Sequence, residues 1–272
     1  MTVVDRPSPP GNKIYFLSDF HLGAPTAYDS LQREKLICRF LDQASQDAAE
    51  IFLMGDLFDF WYEYKKVVPK GYVRLLGKLA ACSDAGIALY FFAGNHDMWM
   101  KDYFQQELGI SMYYDPITIE RNGRRLHLGH GDGLGPGDGG YKRLKSIFRN
   151  PLCQRLFGWL PPVIGMGIAE YFSQQSRAKT GAAEEVFQGP DREWLMAYCK
   201  EQVKKEPVDI FIFGHRHLPI DWELSSTPTS IRYINLGDWI RYFSYAILDG
   251  SELQVRFFTD QQHKLITNRQ NS

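Results

Sequence analysis

Five short segments of this 272-residue chain each close a hydrophobic run with aspartate, asparagine or histidine. They are Asp19-Phe20-His21, Gly55-Asp56-Leu57-Phe58-Asp59, Gly94-Asn95-His96-Asp97, Gly129-His130-Gly131-Asp132 and Gly214-His215-Arg216-His217. Imidazoles, carboxylates and one carboxamide, with no thiolate among them, suit Mn, Fe or Zn rather than a structural thiolate zinc site. Two such ions roughly 3.5–4 Å apart bind phosphoryl oxygens, generate a hydroxide nucleophile near neutral pH and stabilise in-line displacement. Holding two cations that close needs a shared carboxylate, and Asp56, directly after Gly55 at a strand end, is the best placed. Asp19 and His21 are two residues apart and project to one side if extended geometry continues. His215 and His217 repeat that spacing.

The elements that position these residues are legible upstream of each motif. Ile14 to Leu17, Ile51 to Met54, Leu89 to Ala93, Leu126 to Leu128 and Ile210 to Phe213 are β-branched, aromatic or aliphatic runs, so each motif sits where a buried strand ends. In open α/β sheets ligands bind at that edge. Amphipathic spacing predicts helices over 30–46, 72–84 and 101–108, and the alternation with strands predicts a sheet covered on both faces. Gly123 marks a hairpin turn between strands 117–121 and 124–128, and strands return at 209–213. Runs at 232–236, 242–248 and 253–258 follow one another without helices and read as an antiparallel stretch. Residues 1–12 read as a flexible lead, 13–260 as one catalytic domain, and the polar tail 261–272 as frayed.

A single histidine or aspartate near a strand end is more often a turn, cap or core group than a ligand. Here five of the seven histidines fall inside the motifs, where chance placement would scatter them. Outside them, His127 reads as an ordinary strand histidine and His263 as an exposed tail residue. Asp59, Asp97 and Asp132 read as carboxylates that orient ligands or loops. Gly55, Gly94, Gly129 and Gly214 provide tight turns and close backbone approach.

Formal net charge is −1, so the molecule as a whole has no bulk preference for nucleic acid or anionic membrane. Cys38, Cys82, Cys153 and Cys199 are widely spaced and read as reduced thiols of a cytoplasmic protein. The first twelve residues carry no apolar signal-peptide core. Charge is nevertheless uneven. From Tyr141 to Lys179 there are seven basic residues (Lys142, Arg143, Lys145, Arg149, Arg155, Arg177, Lys179) against Glu170 alone, a balance of +6 that leaves −7 for the remainder. Leu144, Ile147, Leu152, Leu156, Trp159, Val163, Ile164, Ile168 and Phe172 are interleaved with those cations. A basic, amphipathic, helical insert suits a ligand with both a phosphate and an apolar part, or a membrane interface. Residues 156–172 are too few for a span, and Pro161-Pro162 interrupts them. A helical hairpin that packs its stripe on the core has equal support from periodicity alone.

The motif order D-x-H, GD-x-x-D, GN-H-D, GHGD, GH-x-H resembles the calcineurin-like metallophosphoesterases. That resemblance implies an α/β sandwich of two mixed β-sheets flanked by helices. It also implies one metal on Asp19, His21, Asp56 and His217, a second on Asp56, Asn95, His130 and His215, and His96 facing the substrate phosphate. The insert, with Arg149-Asn150-Pro151-Leu152, Leu160-Pro161 and Ser176-Arg177, resembles the lipid-binding insert of the UDP-2,3-diacylglucosamine diphosphatases of the lipid A pathway, as does Leu236-Gly237-Asp238-Trp239. This second resemblance implies a helical lid over 141–188 and hydrolysis of UDP-2,3-diacylglucosamine to UMP and 2,3-diacylglucosamine 1-phosphate, with two divalent ions, Mn2+ by preference. It further implies substrate contacts at Asn95, His96, Asp138, Ser176, Lys179, Thr180 and His215, and peripheral attachment to the cytoplasmic face of the inner membrane. Neither nucleic acid nor an obligate protein partner is expected.

Two positions depart from that family. His96 stands where arginine is usual, and Thr180 and Ala183 stand where asparagine and lysine are usual. Arginine only stabilises negative charge, whereas histidine can also give a proton to a leaving oxygen, which widens the range toward ordinary phosphodiesters. The alternative reading is therefore a different metallophosphoesterase acting on nucleotides or other phosphodiesters. A non-catalytic scaffold of the same fold is a third, and it would have no need of the full ligand set.

Overall fold

Alternation along the first strands sets up the layers. In β1 (Lys13–Leu17), Ile14 and Phe16 enter one apolar cluster while Tyr15 and Leu17 enter another on the opposite face. β2 (Ala48–Leu53) divides the same way, Phe52 to the first cluster and Ile51 and Leu53 to the second. In β3 (Ala88–Phe92), Phe92 parts from Leu89 and Phe91. Both faces of these strands are thus covered, as period-two geometry requires of a central sheet. The computed structural model describes residues 9–26, 29–137, 139–169, 171–173, 186–225, 230–259 and 263–269.

The remaining strands are β4 (Ser111–Tyr113), β5 (Ile117–Arg121), β6 (Arg124–Leu128), β7 (Ile210–Phe213), β8 (Pro219–Ser225), β9 (Ile231–Leu236), β10 (Ser244–Asp249), β11 (Glu252–Phe257) and β12 (Ile266–Thr267). They form two six-stranded mixed sheets, ordered β11-β10-β1-β2-β3-β4 and β12-β8-β9-β7-β6-β5. Between the sheets Ile14, Phe16, Phe52 and Phe92 meet Leu126, Leu128, Ile212 and Ile234. Helices α1 (Ser30–Ala44), α2 (Val73–Asp84) and α3 (Tyr103–Leu108) cover the first sheet through Ile37, Phe40, Leu75, Leu79 and Phe104. The second is covered by α7 (Trp194–Gln202) through Leu195, Met196 and Cys199. This four-layer arrangement is the expected sandwich of two mixed sheets flanked by helices.

Three expectations are corrected. The strands from 232 onward are not one antiparallel stretch: β9 lies parallel to β7, and the chain then crosses to the other sheet, where β10 pairs antiparallel with both β1 and β11. Apolar alternation records burial, not which sheet buries a strand. The tail does not fray throughout, because β12 pairs with β8 and the Asn268 side chain bonds the Glu223 backbone in both directions. His263 is not exposed but lies half-buried against the rings of Tyr242 and Phe257, each 5.5 Å away between centroids.

The insert between β6 and α7 begins with α4 (Gly139–Phe148) and α5 (Pro151–Phe157), followed by α6 over 162–169. Asn150 caps α5 by accepting from Leu152 N, with Pro151 at the first helical position where its missing N–H costs nothing. Neither α4 nor α5 has a buried residue. They are held instead at points: Trp99 Nε1 donates to Phe148 O at 2.7 Å, Tyr62 OH donates to Gln154 O at 2.7 Å, and Phe157 packs on Trp99 and Tyr62. Most of the apolar stripe therefore stays in solvent, with Trp159 82% and Val163 85% exposed. Among the described residues no helix is long and apolar enough to cross a membrane.

Candidate active site

The five motifs lie on the loops after β1, β2, β3, β6 and β7, all at one edge of the sandwich. Extended geometry does not persist into them. Asp19, His21, Asp56, His215 and His217 have φ of 56°, 44°, 54°, 69° and 52°, the left-handed region that L-residues avoid at a cost of about 1–2 kcal/mol each. Asp19 and His21 thus converge through left-handed turns rather than through strand alternation, and the same holds for His215 and His217. Neighbouring loops hold them there: Asp19 N donates to Gly55 O, His21 N to Asp56 O, Gly214 N to His130 O and Trp239 N to Asp19 O, all at 2.9–3.0 Å. Asn235 also donates to Gly214 O. At Gly94 a Cβ would strike the Asp56 carboxylate, and at Gly214 it would strike Ser18 Oγ and Asp19 Oδ2.

All seven expected ligands come together. His21 Nε2 and His217 Nε2 are 3.1 Å apart, and Asp19 Oδ1 is 3.2 Å from His217 Nε2 and 3.6 Å from His21 Nε2. His130 Nε2 is 3.3 Å from Asp56 Oδ2 and 3.2 Å from Asn95 Oδ1. Asp56 Oδ2 is also 3.7 Å from His21 Nε2, so its carboxylate stands between the two groups. Asp19, His21 and His217 form one set of donor atoms within 4.8 Å of one another, and Asp56, His130 and His215 form another.

The residues fit divalent cations. His130 Nδ1 donates to Met54 O at 2.8 Å, because a carbonyl can only accept, so the proton given up to a cation would come from Nε2, which faces Asp56 and Asn95. Carboxylates stand behind two other rings, Asp238 Oδ2 3.5 Å from His217 Nδ1 and Asp59 Oδ1 3.8 Å from His21 Nδ1. Such partners orient metal-binding histidines and raise their basicity. Asp19 Oδ1 is buried without accepting a hydrogen bond.

Electrostatics point the same way. Burial disfavours a charged His130, but Asp56 and then Asp19 and Asp132 outweigh it and raise its pKa to about 10. His217 is raised likewise, against burial, by Asp19 and Asp238. Burial would raise the Asp56 carboxyl, yet His130, His96 and His21 hold it below its usual range. His215 falls to about 4 through burial and the neighbouring His130. The metal-free centre thus carries protons on His130 and His217 at neutral pH. That protonation stabilises the metal-free fold fully below the unfolded pKa near 6.5 and is lost as pH rises through about 10. Filling the centre at pH 7 is expected to release about two protons per chain, with Mn2+ affinity rising with pH. Titrating MnCl2 into weakly buffered protein measures this; affinity independent of pH contradicts it.

Other residues have different tasks. Asp97 Oδ1 accepts from Gly94 N at 2.7 Å and Oδ2 from Leu57 N at 2.8 Å, tying the β2 and β3 loops together. Asp132 meets Lys145 and Tyr141, both at 2.6 Å, and so anchors α4. His127 is a buried strand histidine bonded to Thr118 and Tyr198. His96 Nδ1 donates to Asp59 O at 3.0 Å and lies 3.0 Å from Ser173 Oγ, so the insert reaches the centre itself. Burial, partly opposed by Asp56, lowers the His96 pKa to about 4. Asp138, Ser176, Lys179 and Thr180 lie outside the described residues. Sequence reasoning assigned no role to Asp238 or Ser173; Gly237-Asp238 after the apolar β9 repeats the Gly55-Asp56 pattern and was the available signal.

Comparison with known proteins agrees with this geometry. A family model described as calcineurin-like phosphoesterase matches residues 12–219. A UDP-2,3-diacylglucosamine hydrolase of Porphyromonas gingivalis is 38% identical over 263 residues, covering 92% of this chain and 99% of that one. A protein of the same name from Aeromonas hydrophila is 30% identical over 256 residues, covering 92% and 98%. Among solved structures, the E. coli phosphoesterase Yfce aligns with a TM-score of 0.45 at 18% identity, covering 92% of this chain and 95% of that one. The chain belongs to the calcineurin-like phosphoesterases and is a metal-dependent hydrolase of that family.

Proposed function

We propose that the chain hydrolyses the pyrophosphate bond of UDP-2,3-diacylglucosamine, releasing UMP and 2,3-diacylglucosamine 1-phosphate. The observation that carries this is the meeting of a seven-donor centre with a basic insert whose apolar side chains face solvent. The names of relatives that align along nearly the whole chain support it. In this reading two Mn2+ ions are held, one by Asp19, His21, Asp56 and His217, the other by Asp56, Asn95, His130 and His215. When bound, they polarise the phosphoryl oxygens and lower the pKa of the attacking water. The insert, 141–188 within the domain 13–260, acts as a lid that receives the acyl chains and rests on the cytoplasmic face of the inner membrane. Asp138, Ser176, Lys179 and Thr180 are its proposed substrate contacts.

His96 bears on the choice of substrate. Its Nδ1 carries the hydrogen given to Asp59 O, and its lowered pKa keeps the ring neutral at pH 7, so Nε2 has a lone pair and no proton. A neutral ring of this tautomer cannot protonate a leaving alkoxide, which an ordinary diester requires. A leaving phosphate ester is a weak base and needs no such help. In this reading the neutral Nε2 favours a pyrophosphate over the alternative diester substrates. Purified protein with Mn2+ is expected to release UMP from UDP-2,3-diacylglucosamine with kcat/KM at least about 100-fold above that for bis-nitrophenyl phosphate, some 2.7 kcal/mol of discrimination. The reverse preference would assign a different metallophosphoesterase.

A further inference from the structure

The connection from β2 to α2 carries a second surface that the reaction does not use. From Tyr64 to Arg74 the sequence holds Lys65, Lys66, Lys70 and Arg74 and no acid. Val68 and Tyr72 turn inward against the helical side of the first sheet, and Pro69 is buried. Lys65, Lys66, Val67, Lys70, Val73 and Arg74 turn outward, with Val67 50% and Val73 73% exposed. Tyr72, at φ 56° beside Gly71 at φ 109°, makes the bend that leaves Val73 in solvent at the start of α2. Among the described residues no carboxylate pairs with these four cations: Glu34 accepts instead from the backbone of Arg74 and Leu75. Basic character continues into a groove of ≈ 680 Å³ between α1 and α2, lined by Lys35, Arg39, Arg74 and Lys78 with Gln32 and Cys38.

This strap adjoins the insert. Tyr62 bonds Gln154 O and packs on Phe157, Tyr64 packs on Tyr62 at 4.6 Å, and the Tyr64 hydroxyl abuts Gly165 of α6. The strap then closes with Tyr64 N donating to Val67 O at 3.0 Å. The exposed valines and cations of the strap thus extend the basic, apolar surface that Leu152, Trp159, Val163 and Ile164 present on the insert.

We propose that residues 65–74 are a bilayer contact distinct from the insert, in which Lys65, Lys66, Lys70 and Arg74 bind anionic phospholipid headgroups while Val67 and Val73 enter the interface. The inference rests on the lipid-substrate reading, whose insert it adjoins. Charge complementarity selects the occupant. A single-stranded nucleic-acid groove presents outward aromatic rings on which bases stack, whereas Tyr64 and Tyr72 are turned inward, and the exposed Val67 and Val73 offer duplex phosphates nothing to bind. Two anchored surfaces side by side fix the orientation of the centre toward the membrane, which a single insert would leave free to pivot.

Sedimentation of the full chain with vesicles tests this. A basic side chain at an anionic surface is worth about fivefold in partitioning, so Lys65→Glu/Lys66→Glu/Lys70→Glu is expected to weaken binding to phosphatidylglycerol–phosphatidylethanolamine vesicles by at least about 100-fold. Wild-type binding should fall with added salt and be weak on phosphatidylcholine alone. The variant should keep the wild-type melting temperature and the wild-type rate of UMP release from substrate dispersed in detergent. Val67→Asp/Val73→Asp should also weaken vesicle binding. Unchanged vesicle binding by both variants, equal wild-type binding to neutral vesicles, or preference for duplex DNA would overturn the proposal. Absent UMP release with vesicle binding lost in the variants would instead refute the substrate reading and leave this surface standing.

Discussion

Asp56→Ala is expected to lower kcat by about 10⁴-fold or more and to remove both metal ions rather than one. Asp56 Oδ2 lies 3.3 Å from His130 Nε2 and 3.7 Å from His21 Nε2, the only carboxylate oxygen among the described residues that the two histidine groups share at such distances. Removing it leaves Asp19 on the His21–His217 side alone, with no carboxylate between the two groups to offset the repulsion of two dications. A factor of 10⁴ corresponds to about 5.4 kcal/mol of lost transition-state stabilisation, within what charge neutralisation by metals supplies. Metal content by atomic absorption and turnover should fall together. A variant that keeps one tightly held ion and full activity would deny the shared role. Asp56→Asn is the milder comparison, since it preserves the Oδ1 acceptor for His96 N at 2.9 Å and with it the β3 loop.

The second large effect concerns Arg216, between two of the proposed ligands. Its guanidinium bonds both oxygens of Glu193 at 3.1–3.2 Å and stacks over Trp194 at 4.8 Å. The two side chains are 4% and 2% exposed. Truncating one partner of such a pair strands the other charge in the interior, at about 3–5 kcal/mol, so Arg216→Ala should lower the melting temperature by roughly 10 °C. Burial already raises the Glu193 carboxyl despite Arg216, so without its partner it should take up a proton and lose the bond that fixes the loop. His215 and His217 would then lose their placement and Mn2+ affinity would fall. Removing both partners should restore part of the stability, because the uncompensated charge is gone. Calorimetry on the single and double variants decides this, and a single variant as stable as wild type would show the pair to be dispensable.

The candidate ligands were legible in the sequence because each follows a short, strongly apolar run that reads as a strand, and because few residue types serve as hard-metal donors. The helices over 30–46, 72–84 and 101–108 and the Gly123 hairpin were legible for the same reason, since their signals are local. Long-range pairing was not. The crossing from β9 to the sheet of β1, the two-residue β12 and the short β4 depend on partners far along the chain. The left-handed backbone of Asp19, His21, Asp56, His215 and His217 was equally hidden, because nothing in those residue types demands it. His96 shows the limit most clearly: its tautomer follows from the carbonyl of Asp59 and its surroundings from Ser173, 77 positions away. Residue type alone leaves either ring nitrogen open as acid or acceptor, and only those surroundings distinguish them.

The proposed function requires that the seven donors hold two ions and that the loaded centre hydrolyses a lipid pyrophosphate. Counting Mn2+ bound per wild-type chain while following UMP release from UDP-2,3-diacylglucosamine tests it most directly. The expected result is that release is absent in chelator and reaches its plateau at two ions per chain, with Asp56→Ala showing neither. Full release from metal-stripped protein, or a plateau with no ion bound by the chain, would contradict it.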